Sequence, residues 1–220
     1  MSNGIAWIGA HSTTDRSASL SGMLGGISLT CARGVDADEF LIALGADLDE
    51  LAERTPYKDL ALPVDRRGRA LPHINPVMYG TCGDWVYVLE DWGMATWSTG
   101  YREVESMRPG PEEVVCVTLN WECPPRTVIH APGDGCVWRA EFGEGAGQGS
   151  ALDAALHAAG AVFPSIGDTD AAIVAAYYEE HREKLFPAVF TAVGNYCELS
   201  IDQEAVQAGE LPSLLIPMVL

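Results

Sequence analysis

The stretch Gly83-Asp84-Trp85-Val86-Tyr87-Val88-Leu89-Glu90-Asp91-Trp92-Gly93 reads as a strand, a dense apolar run between a Gly-Asp turn signal and a carboxylate exit. Alternation puts Glu90 on the face of Val86 and Val88, which is expected to be covered. A covered carboxylate needs a partner, and Arg33, at the end of an upstream strand, is the candidate for a structural ion pair.

Outward from this run the chain continues to read as strands. Ile27 to Ala32 alternates apolar and small residues, and Val77–Thr81, Val114–Asn120, Thr127–Ala131 and Cys136–Phe142 are separated by Gly- and Pro-rich turns. Short separations favour antiparallel neighbours. Helices are expected from Ala37 to Leu44 behind an Asp36/Glu39 capping box, from Ser150 to Ala159, from Asp168 or Asp170 toward Leu185, where Pro187 would kink or restart the helix, and after a Ser200/Gln203 box. The fold class is therefore α+β, an antiparallel sheet of five to six strands packed on one side by N- and C-terminal helices. Residues 1–22 read as a partly ordered lead-in and 23–220 as a single domain. The Tyr57–Pro76 stretch, with Arg66, Arg67 and Arg69, reads as an exposed loop.

The 220 residues carry 13 basic and 31 acidic side chains, a net charge of -18. Such a field repels phosphate backbones and anionic lipid surfaces, so nucleic acid and membrane are not expected partners. No uninterrupted apolar run is long enough to span a bilayer, and a cytoplasmic location is expected. Asp36, Asp38, Glu39, Asp47, Asp49, Glu50 and Glu53 follow one another with no Lys or Arg between them. They form either a solvated helix face or a binding surface for a basic protein. The six cysteines read as reduced thiols, with Cys31 and Cys116 in strand cores, and their spacing with the histidines gives no metal site. No cofactor is expected: the Gly143–Gly149 segment sits where a phosphate loop would but lacks its lysine, and Glu141 and Glu144 oppose an anion.

Leu29 to Glu39, Leu44-Gly45-Ala46-Asp47, Gly83 to Gly93, Val114 to Asn120 and the Leu199–Leu215 helix and tail together resemble an actinobacterial family of uncharacterised proteins, a domain of unknown function. The resemblance covers most of the chain from Leu29 onward and implies a placement without a reaction. The Tyr57–Pro76 and Gly143–Gly149 segments look like additions to that pattern.

Three functional readings follow. The first is a non-enzymatic, acidic protein-binding module of the immunity or antitoxin kind, neutralising a partner with a basic surface. The second is an enzyme of unrecognised class using Glu90, Asp91 and His130, although no nucleophile motif accompanies them. The third is a structural or regulatory subunit that self-associates, for example as a homodimer.

Overall fold

The computed structural model describes residues 4–13, 26–63, 74–91, 95–119, 126–146, 149–163 and 171–219. The Trp92-Gly93 exit, the arginines at 66, 67 and 69, His73, Trp121, Cys123, and Asp168 and Asp170 lie outside them.

Strands β1 (Ser28–Arg33), β2 (Ile74–Cys82), β3 (Trp85–Glu90), β4 (Glu113–Thr118), β5 (Thr127–Ala131), β6 (Trp138–Glu141) and β7 (Ser213–Pro217) form one antiparallel sheet in the order β6-β5-β4-β1-β3-β2-β7. The sheet has seven strands, more than the five to six read from sequence. The addition is β7, in the C-terminal tail, which closes the edge beside β2 from Ile74↔Pro217 to Met78↔Ser213.

Helices α1 (Ala6–Thr13), α2 (Ala37–Ala43), α3 (Leu48–Glu53), α4 (Thr96–Gly100), α5 (Ala151–Ala158), α6 (Ala171–Tyr196) and α7 (Gln203–Ala208) complete the fold. They cover both faces of the sheet rather than one. Leu29, Cys31, Tyr87, Leu89, Val115 and Val117 pack with Ile5 just before α1, Ile8 of α1, Leu152 and Leu156 of α5 and Phe186 and Phe190 of α6. On the opposite face Ala32, Val86, Val88, Val114 and Cys116 pack with Phe40 and Leu41 of α2, Leu51 of α3 and Trp97 of α4. Every residue of β3 is consequently buried, as an unbroken apolar run requires once both its faces are covered.

Local chemistry sets most of the helix starts. The Asp36 carboxylate accepts from the amides of Asp38 and Glu39, Asp47 accepts from Asp49, and Ser150 accepts from Asp153, each cap contributing about 1 kcal/mol. At α7 the cap is Asp202, bonded to the Glu204 and Ala205 amides, instead of Ser200. Helix α6 runs through Pro187 to Tyr196 without ending there. Proline removes one amide donor, but Leu185, Phe186, Val189, Phe190 and Val193 on either side of it are buried against α1 and the sheet, and that packing outweighs the lost bond.

The expected lead-in contains α1, and Ile8 of α1 and Ile5 just before it lie in the core. Helices α1 and α6 approach so closely that a Cβ on Gly9 would lie 2.4 Å from the carbonyl carbon of Phe186, and one on Gly194 would lie 2.8 Å from Ile5. Backbone at that distance cannot step aside cheaply. Gly9→Ala should lower the unfolding free energy by about 1–3 kcal/mol in urea titration, whereas an unchanged midpoint would show that α1 adds little to the core.

Candidate functional site

Three sets of polar side chains stand out, and the antiparallel register keeps them apart. In β1, Ser28 faces Glu90 while Arg33 faces Trp85 on one side and Glu113 on the other. Arg33 and Glu90 therefore sit at opposite ends of the β1–β3 ladder. The expected ion pair between them does not form, because a strand running antiparallel brings the end of β1 to the start of β3.

Arg33 instead binds Glu113. Its Nε and Nη2 donate to Oε2 at 2.7 and 2.6 Å, and the guanidinium lies 4.8 Å from the centroid of the Trp85 ring. The other oxygen, Oε1, accepts from His130 Nε2 at 2.8 Å and from the Tyr196 hydroxyl. One carboxylate thus joins β1, β4, β5 and the C-terminal end of α6. Burial pushes the Glu113 carboxyl upward, but the bonds from Tyr196, His130 and Arg33 outweigh it and hold the group below the ordinary glutamate value. Burial, reinforced by Glu113, raises the Tyr196 phenol, which stays a neutral donor.

His130 is 2% exposed. With its Nε2 proton assigned toward Glu113, Nδ1 is a bare acceptor, buried with no hydrogen-bond partner among the described residues. Among the described residues no nucleophilic hydroxyl or thiol is bonded to it. Both Glu113 oxygens are already occupied by donors, so the arrangement is that of a structural junction more than of a general base.

Glu90 occupies the other face and the other end of the sheet. It accepts from the Thr96 amide at 2.8 and 3.0 Å, from the Thr96 hydroxyl at 2.7 Å and from Asn75 Nδ2 at 2.9 Å. Asp91 is also buried, and Tyr57 is lifted to about 12 by burial first and by the nearby Asp91 second. Glu90 and His130 belong to opposite faces, so the set Glu90, Asp91 and His130 does not assemble into one site.

The acidic run lies on α2, α3 and their caps and is exposed except for the half-buried Glu50. Asp36 and Asp47 are caps, and Glu50 accepts from the Leu215 amide at 3.1 Å, tying α3 to β7. Asp38, Glu39, Asp49 and Glu53 are exposed. Two apolar side chains lie among them and are also exposed, Ile42 at 40% and Leu48 at 67%.

Cys31, Cys116 and Cys197 are buried free thiols, and burial pushes Cys116 up to about 12. Among the described residues no group of His, Cys, Asp and Glu is arranged to hold a metal, and no helix is long and apolar enough to cross a membrane. Comparison with protein-family models, curated proteins and solved structures finds no match.

Removing the Glu113 carboxylate takes the acceptor from buried His130 and half-buried Tyr196 and the counter-charge from the exposed Arg33 head. Glu113→Ala should cost about 3 kcal/mol in chemical denaturation at pH 7. A folded carboxyl held low adds stability above its unfolded value and loses it as pH falls through the lower folded value, so the ionisation part of this deficit should disappear in strong acid. A deficit with no pH dependence would refute the charge-assisted account.

Proposed function

We propose that this protein is a non-enzymatic, acidic protein-binding module of the immunity or antitoxin kind, whose α2–α3 face receives a partner with a basic surface. The observation that carries the reading is the exposure of Leu48 and Ile42 within the acidic run. Exposed aliphatic side chains set among carboxylates are the elements of an interface that combines an apolar centre with a charged surround. The net charge of -18 adds a long-range field that speeds encounter with a cationic partner.

The fold supports this reading by dividing the carboxylates into two groups. Asp36, Asp47 and Glu50 hold backbone amides, leaving Asp38, Glu39, Asp49 and Glu53 to face solvent. The two buried glutamates, Glu90 and Glu113, are engaged by neighbouring donors.

The test is association with the products of the adjoining genes, basic ones first, measured by surface plasmon resonance at low and at physiological salt. The fourfold variant Asp38→Asn, Glu39→Gln, Asp49→Asn, Glu53→Gln keeps both caps and the Glu50 bond. It should slow association by about tenfold or more and flatten the salt dependence. Absence of a complex with the wild-type chain, or unchanged kinetics in the variant, would overturn the proposal.

A further inference from the structure

Strands β6 and β7 end the sheet, and among the described residues neither has a second strand beside it. An edge of this kind carries a row of outward backbone donors and acceptors, a template on which another chain can add as the next strand. In an antiparallel ladder the residues alternate, one exchanging both backbone bonds with its neighbour and the next turning both outward. The register therefore fixes which groups of β6 and β7 face away from the sheet.

At β7 the Tyr79 amide donates inward to the Pro212 carbonyl at 3.0 Å, so Leu214 and Ile216 also bond toward β2, and Ser213, Leu215 and Pro217 turn outward. The Ser213 amide donates to the Thr55 carbonyl at 2.9 Å, the Leu215 amide donates to Glu50 Oε2 at 3.1 Å, and Pro217 has no amide. No outward donor of β7 is left for another strand. At β6 the Phe142 amide donates inward to the Arg126 carbonyl at 3.0 Å, which turns Arg139, Glu141 and Gly143 outward. The Glu141 amide donates to Glu144 Oε2 at 3.0 Å, the Glu141 carbonyl accepts from the Glu144 amide at 2.9 Å, and the Gly143 carbonyl accepts from the Phe163 amide at 2.8 Å.

We propose that Glu50 and Glu144 close the two edges of the sheet and so keep the chain from pairing strand to strand with a second copy of itself. The inference goes beyond the binding role and does not depend on it, although Glu50 belongs to the same acidic run. A carboxylate suits the task because it is an acceptor only: it takes up the edge amide and offers an incoming strand no donor in exchange.

A second copy is the partner to be excluded because β6 is complementary to itself. Two β6 strands related by a two-fold axis through Ala140 would set Arg139 opposite Glu141 at two places, each a pair of opposite charge whose backbone groups face outward. Both side chains are exposed, and Trp138 beside them is 47% exposed. Glu144 holds the Glu141 amide and carbonyl, and with them one half of each such pair. Glu50 does the equivalent at β7, where Leu215 is the middle residue of the outward row.

Sedimentation velocity from low to high protein concentration, together with amide hydrogen exchange, tests the closure. Glu144→Ala and Glu50→Ala, each made alone, remove the acceptor and should self-associate about tenfold or more strongly than the wild type. Glu144→Gln and Glu50→Gln keep an acceptor oxygen while losing the charge, and should sediment as the wild type does. Exchange in the wild type gives an answer that needs no variant to fold: the Glu141 and Leu215 amides should exchange about tenfold or more slowly than the same amides in an unstructured chain. Folded alanine variants no larger than the wild type, glutamine variants that associate as strongly as the alanine ones, or unprotected Glu141 and Leu215 amides would each refute the closure.

Discussion

The structure depends on burying both faces of one antiparallel sheet. Strands β1 and β3 lie in the middle of the order and make the central ladder, with Leu29, Cys31, Tyr87 and Leu89 directed to one core and Ala32, Val86 and Val88 to the other. Burial of this kind is the main source of stability, at about 25 cal/mol per Å² of apolar surface. It also imposes a condition on every polar side chain that enters: each must find donors or acceptors inside the protein or be neutralised.

Glu113 and Glu90 meet that condition in opposite ways. Glu113 is surrounded by Arg33, His130 and Tyr196, and its ionised form is favoured. Glu90 has an amide, a hydroxyl and a carboxamide but no cation, and its neutral form gains. Both act as cross-links between elements far apart in sequence. Tyr196 reaches Glu113 across 83 positions, and this joins the end of α6 to the start of β4. The acidic α2–α3 surface lies outside both junctions, and its exposed carboxylates are not required by the core.

Much of the framework was legible. β3 and β5 fall at the boundaries that apolar runs and turn residues indicate, and Asp36 and Ser150 cap as their positions suggest. The covering of both faces departs from the expected packing on one side, although the five successive apolar residues Trp85–Leu89 leave no side for water. α1 was hidden by its small and polar residues, since its burial comes from the close approach permitted by Gly9 and Gly194. β7 was hidden because a five-residue run in the tail has meaning only beside β2.

The Glu113 junction carried no local signal. Glu112 and Glu113 are adjacent carboxylates before the same apolar run, and only the pairing Arg33↔Glu113 distinguishes them. The sequence by itself determined the composition of the strands, the helix caps, the concentration of charge on α2 and α3 and the burial of Glu90, since each follows from residues a few positions apart. The tertiary structure decided which cation meets which carboxylate, that Glu90 and His130 lie on different faces, and that α6 continues through Pro187. Those outcomes depend on register and on packing between distant segments, and neither quantity is encoded in spacing along the chain.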